Sequence, residues 1–323
     1  MIMQLAIAQP SSGLTPDRPL ASIAGPGDAA ASGLGRVPPT ALLLLAIIFV
    51  QLGAALATVL FSSIGATGTA IASTFFSALV VTLLIGVGVL PAGGLTLSGV
   101  ACAAPRHWRL LLLFGLACAL LTLSYYLALE TLPLGIVATV TFLGPLGLAV
   151  ATSRRLVHFI WIGIAAIGIA LLAPEVGSHL DLLGLGYAVV AALAWAGFVP
   201  LSKRIGEVLP GQAGLACALW LATAMLLPLL LVERNLFTAD LADLAGAFAV
   251  ALLGVVLPTV LEFQALQKMS ARTYGILVTL EPAIGAVVGV LCLDQPAGPR
   301  MVVAVVCVML AALGVTLSDR QER

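Results

Sequence analysis

Residues 273–293 read TYGILVTLEPAIGAVVGVLCL, an apolar run interrupted by one charge, Glu281, and by the proline after it, Pro282. The hydrocarbon core of a bilayer takes roughly 20 residues of helix, so this run is long enough to cross one. A carboxylate at that depth costs roughly 2.5–3.5 kcal/mol on insertion scales. Such a group is usually kept where it faces a bundle interior or a water-filled path, and where it binds something or carries a proton. Pro282 removes a backbone N–H and frees an upstream carbonyl, a break tolerated only where protein or cavity water satisfies that group. The run therefore predicts a membrane span that lines a site.

The flanking chain repeats the apolar pattern. Of 323 residues, 61% are hydrophobic and 9% charged, and the mean hydropathy is +1.18. A soluble protein carries about 25% charged residues. Apolar runs predict helices near 40–60, 67–90, 109–129, 133–152, 158–173, 182–201, 211–232, 244–267, 272–293 and 299–317. The fold class is thus an all-α polytopic membrane protein with ten transmembrane helices. The net charge is zero, which excludes a polybasic nucleic-acid binder. Five cysteines without CxxC spacing argue against a disulfide framework or a zinc site, and no metal or cofactor is expected.

Residues 1–38 are rich in Pro, Gly, Ala and Ser without periodicity and read as a disordered cytoplasmic segment. The run IMQLAIA is short and no basic residue precedes it, which argues against a signal peptide; a start codon assigned too early leaves the same pattern. With the N-terminus inside, cytoplasmic span ends hold eleven Lys and Arg residues (36, 106, 109, 154, 155, 203, 204, 268, 272, 320, 323) against two in outer loops, Arg234 and Arg300. That bias predicts an inner-membrane, multi-pass protein with both termini, including a tail at 319–323, in the cytoplasm.

Setting Pro145 against Pro282 aligns Leu143-Gly144-Pro145 with Leu280-Glu281-Pro282, and spans three and four with eight and nine. Five spans per half is an odd number, so the halves, 39–174 and 181–318, would be inverted. Inverted repeats with proline-broken helices at the midplane are a transporter signature.

Glu281 and Glu262 are the two acidic residues left inside spans. Tyr274, Gly285 and Gly289 fall on one helical face with Glu281, and the two glycines allow another helix to approach closely. Glu262 lies six residues before Lys268, about 9 Å along a helix axis, and so within reach of the cytoplasmic interface. Gln51, Tyr125, Thr141 and Trp195 fall within spans, where each offers hydrogen bonds or an aromatic wall to a small substrate, or glue between helices. No Asp lies within a span and the histidines (107, 158, 179) sit at span ends or loops, so no enzyme constellation is present.

The stretches QLGAALA (51–57), LPLGIVA (132–138), FLGPLGLAVATSRR (142–155), AWAGFVPLS (194–202), LPTVLEFQAL (257–266) and RTYGILVTLEPAIGAVVG (272–289) together resemble the EamA-type drug/metabolite transporters. Within these the resemblance is to the bacterial threonine/homoserine exporter branch. It covers about residues 39–318, with the block from LPTVLE to LEP the most specific part. The resemblance implies two inverted five-helix EamA-like repeats around a central cavity, alternating access, and export of a small metabolite coupled to protons. It carries Gln51, Trp195, Glu262 and Glu281 onto matching positions. Two positions depart: Ser73 stands where the family carries an Arg, and Thr141 where the exporter branch carries a Glu. Either those charges compensate each other in relatives and their joint loss is neutral, or they bind a zwitterion and this chain moves another compound, such as a drug or a different metabolite. The expected partners are a small-molecule substrate, membrane lipid and protons, with a homodimer as one form of assembly.

Overall fold

The structure is a computed structural model that describes residues 37–90, 104–151, 157–172, 181–209, 211–231, 235–266, 268–269, 274, 277–296 and 298–318. The N-terminal segment and the C-terminal tail thus lie almost wholly outside the described residues. Backbone in lipid must satisfy its own polar groups, which leaves helix as the form for an apolar single chain. The elements are α1 (Pro39–Gly86), α2 (Trp108–Leu129), α3 (Leu134–Ala151), α4 (Val157–Leu172), α5 (Leu182–Val208), α6 (Ala213–Leu226), α7 (Leu241–Ala251), α8 (Leu257–Leu266), α9 (Glu281–Leu293) and α10 (Pro299–Ser318). Five stretches are long and apolar enough to cross a membrane: Pro39–Gly86, Trp108–Leu129, Leu182–Val208, Ala213–Leu231 and Leu241–Glu262. Leu134–Leu148, Glu281–Leu293 and Pro299–Gly314 are shorter apolar helices.

Ten separate helices were expected, and among the described residues the first two meet end to end across a kink. The runs near 40–60 and 67–90 join as α1, whose one non-helical residue is Gly65 (φ 71°, ψ 166°). That conformation suits glycine, which has no Cβ to clash. The arms on either side, 39–64 and 66–86, are about 39 and 32 Å long at 1.5 Å per residue, each enough for one crossing. The run near 244–267 is a single rod too, with a π-helical turn (Leu252–Val256) between α7 and α8. Pro258 explains the turn: it cannot donate to Gly254 four residues back, and a wider turn relieves the clash of its ring with that carbonyl.

Small residues bring the rods together. A Cβ on Gly53 of α1 would lie 2.6 Å from the backbone nitrogen of Gly254, so the first arm of α1 rests directly on the π turn. Gly144 of α3 backs onto the Ala192 carbonyl of α5, and Gly168 of α4 onto the Ala304 carbonyl of α10. Ser and Thr hydroxyls within the helices donate to carbonyls one turn back, as Ser77 does to Ser73 (2.7 Å) and Thr139 to Gly135 (2.6 Å). Outward faces carry Leu, Val, Ile and Phe, such as Leu193 and Leu291, as a lipid-facing surface does. Helix starts are capped by polar side chains: Asp181 accepts from the N–H groups of Leu183 and Gly184 (3.1 Å each), and Asp240 and Asp243 form a reciprocal capping box.

Candidate functional site

Glu281 is the first residue of α9. The chain turns at Thr279–Leu280 and resumes as helix at Glu281, with Pro282 in the first turn. The break therefore lies just before the carboxylate, with Pro282 on its far side. A proline in the first turn lacks only an N–H that has no intrahelical partner, so Pro282 starts the helix and frees no carbonyl. Glu281 consequently lies at the positive end of a helix dipole. It is 1% exposed, and neither carboxylate oxygen has a hydrogen-bond partner.

Three helices close around it. One turn beyond Glu281, a Cβ on Gly285 would lie 3.0 Å from both the Ala138 Cβ of α3 and the Gln51 Oε1 of α1. Gly289, a turn further, faces Leu134 of α3 and the Gln295 side chain. The Gln295 Oε1 in turn accepts the Leu134 N–H (2.9 Å) and ties the end of α9 to the start of α3. Gln51 is fully buried and both its amide atoms are unpaired, and the hydroxyl of fully buried Thr141, on α3, is likewise unpaired. Trp195 of α5 meets Phe142 of α3 edge to face (6.0 Å, 72°) with its indole N–H unpaired. The phenols of Tyr125 and Tyr274 are buried and unpaired, and both feel the charge of Glu281.

Glu262, six residues before Lys268, is 1% exposed in the folded chain and lies within Coulombic range of Tyr274 and Glu281. Its helix, α8, packs along α1, and Pro258 and Thr259 on it are buried too. Tyr274 was expected on one continuous helical face with Glu281. The turn at 279–280 lies between them, and the buried phenol is within Coulombic range of the carboxylate. Among the described residues the buried charged side chains are Glu262 and Glu281, and no Lys, Arg or His is buried. No group of three metal-ligating side chains occurs among those residues either.

Ser73 belongs to a neighbouring space. A cavity of about 50 Å³ lies between both arms of α1, α2, α6 and the π turn, and Ser73, Thr74 and Tyr125 are among the residues that line it. Thr74, Tyr126 and the π turn escaped the sequence reading. A hydroxyl cluster at 73, 74 and 77 was the available signal for the first, and the Gly254-Pro258 spacing for the last. Pro145 lies inside α3, next to the Gly144–Ala192 contact.

The profile of the EamA-like transporter family matches residues 182–317. The threonine/homoserine exporter RhtA of Salmonella typhimurium (strain SL1344) is 32% identical over 295 residues, which is 88% of this chain and 93% of that protein. The protein of the same name from Escherichia coli (strain K12) is 31% identical over the same shares. A crystal structure at 18% identity superposes with a TM-score of 0.56, across 88% of this chain and 99% of its own, and shares the fold. These relatives are exporters and not enzymes, and they imply a small-molecule substrate in a lipid setting. By sequence and by architecture the chain is an inner-membrane protein belonging to the EamA-like transporter family, near its threonine/homoserine exporter branch.

Proposed function

We propose that this protein exports a small amine-bearing metabolite, an amino acid such as threonine or homoserine, by proton antiport with Glu281 as the exchange site. The observation that carries this reading is a carboxylate buried at a helix start with both oxygens unpaired. A buried carboxylate left ionised without a partner is expensive, so it takes up either a proton or a cation. In one half-cycle Glu281 meets the substrate's ammonium group, and in the other a proton. Gln51 touches the next turn of the Glu281 helix at Gly285, and Gln51, Thr141, Trp195, Tyr125 and Tyr274 all carry buried donors or acceptors that lack protein partners, as in a site whose bonds are completed by a ligand. Glu262 adds negative potential near Tyr274 and raises local affinity for cations.

Alternating access between two inverted halves, 39–174 and 181–318, with both termini cytoplasmic, completes the proposal. Its support is the pattern of helix contacts. The helix after the second arm of α1, α2, packs on α5, the first helix of the other half; α8 packs on α1 in the reciprocal way. Likewise α3 packs on α5, and α9 on α1. The pairs α3–α9 and α4–α10 join equivalent positions of the two halves. Several contacts thus come in pairs that an exchange of the halves would relate, which supports the reading. Discontinuous helices at such an interface hold substrate and coupling ion in transporters of this design.

The test is efflux from proteoliposomes under an imposed pH gradient. Glu281→Gln keeps the size of the side chain and cannot exchange a proton. The variant should insert and fold but lose gradient-driven efflux, and unchanged efflux would sink the assignment. A second reading, export of lipophilic cations, is favoured by the lack of a buried basic side chain to meet a substrate carboxylate among the described residues. Challenge of an overproducing strain with amino-acid analogues and with cationic drugs separates the two by which class it resists.

A further inference from the structure

The cavity beside Glu281 differs from the carboxylate site in its chemistry. Its wall is mainly aliphatic, from Val50, Leu121, Leu219 and Val250, and no charged side chain lines it. Hydroxyls supply the polar part. Ser77 donates to the Ser73 carbonyl (2.7 Å), Ser73 to the Ala70 carbonyl (3.4 Å), and the Tyr126 phenol pairs with the Ser73 side chain. These groups are satisfied within the protein. Two are not. Thr74 and Tyr125 line the cavity, the residues are 4% and 5% exposed, and their buried hydroxyls have no hydrogen-bond partner. Thr74 comes from the second arm of α1 and Tyr125 from α2.

Buried hydroxyls are seldom left orphaned unless a ligand or water completes them. The chemistry of the wall limits that ligand. A carboxylate or ammonium group entering here would find no countercharge and would lose its hydration. A neutral hydroxyl can accept from one orphan and donate to the other, which satisfies both at once. Val50 of the cavity lining immediately precedes Gln51, which meets the Glu281 helix at Gly285, and Tyr125 lies in the field of Glu281, so the cavity and the carboxylate are neighbours.

We propose that this cavity is the selectivity pocket of the transporter, and that Thr74 and Tyr125 together bind a neutral hydroxyl on the substrate while its amine lies at Glu281. The inference rests on the exporter reading above and deepens it. The selected substrates carry a cationic amine and a hydroxyl on a short aliphatic chain. An analogue without the hydroxyl fits the aliphatic wall but leaves two buried groups unpaired, a form of discrimination stronger than the loss of a methylene.

The experiment compares uptake of homoserine and of its deoxy analogue 2-aminobutyrate into inverted vesicles containing the full chain. The wild type should prefer homoserine by about a thousandfold in kcat/KM, the size expected when one compound leaves two buried hydrogen-bonding groups unpaired. In Thr74→Val, which keeps the shape, and in Tyr125→Phe the ratio should fall toward one, mainly through a raised KM for homoserine. Ser77→Ala should keep the wild-type ratio, because the Ser77 hydroxyl is already bonded to the Ser73 carbonyl. Equal losses for both compounds in Thr74→Val would mark a purely structural role and overturn the proposal. So would a wild type that moves both compounds equally well, which is the outcome if the orphans bind only water. If Tyr125→Phe does not fold, Thr74→Val decides alone. A wild type that moves neither compound refutes the amino-acid reading itself and with it this inference; transport without hydroxyl selectivity refutes this inference only.

Discussion

Substituting Gly144 by alanine tests how closely the helices are required to pack. An added Cβ would run into the Ala192 carbonyl oxygen, and would lie 2.8 Å from the carbonyl carbon and 3.1 Å from the Ala192 Cα. Ordinary contact begins at 3.4 Å, so the carbon alone must retreat by about 0.6 Å, and the obstacle is backbone that cannot swing aside. Overpacking of this kind costs about 1–3 kcal/mol. Three residues along the same helix, Gly147 offers an internal control: its added Cβ meets nothing within 4 Å. Both variants gain up to about 1 kcal/mol of helix propensity, so their difference isolates the packing. Thermal unfolding of detergent-purified protein, followed by tryptophan fluorescence, measures it. Gly147→Ala should melt at or slightly above the wild type. Gly144→Ala should melt below Gly147→Ala by about 2–6 °C, at roughly 2 °C per kcal/mol for a chain of this size. Equal melting temperatures for the two variants would refute the close α3–α5 approach.

Two further outcomes concern helix ends. Gln295→Ala removes the acceptor of the Leu134 N–H and should lower stability by about 1 kcal/mol, while Gln295→Glu keeps an acceptor and should retain most of it; comparing their melting temperatures checks this, and a wild-type value for Gln295→Ala would contradict the clasp. The Gly184 N–H, the Thr131 hydroxyl and the Leu183 N–H hold the Asp181 carboxyl below the usual aspartate range. A depressed value means that its contribution is present above the unfolded-state pKa, about 3.9, and is lost as the pH falls through the folded-state value. Asp181→Ala should therefore be less stable than wild type at pH 7, with the gap closing in acid below that range; a gap that stays constant with pH would count against the cap.

The sequence announced the membrane class and the lone deep carboxylate because both are local signals: apolar runs of span length and one charge inside a run. It did not say how the chain breaks near Glu281, because Pro282 alone does not tell a kinked helix from one that begins anew. Hydrogen bonding at Thr279–Leu280 decides that. The boundary between the first two spans was legible and Gly65 falls within it, but a join of one residue leaves no polar loop to mark how short it is. What packs on Glu262 was not legible, because its distance from Lys268 measures position along a helix and says nothing of what lies across it. The hydroxyl cavity was illegible for a similar reason. Thr74 and Tyr125 are 51 positions apart in the chain, and only the packing of α1 on α2 puts both on one wall. Gln51 and Gly285 likewise meet through tertiary packing, although each stood out in the sequence.

Gly65 has a mechanical consequence. The first arm of α1 carries Gln51, beside the carboxylate helix, and the second carries Thr74, on the wall of the hydroxyl cavity. Between these arms lies one non-helical residue with two rotatable backbone bonds. A flexible loop would absorb small displacements; a joint this short has no slack. If both arms stay straight, tilting of one relative to the other reduces to rotation about that joint. The two compartments are mounted on opposite limbs of a single lever, so their spacing is governed by one pair of dihedral angles at its elbow.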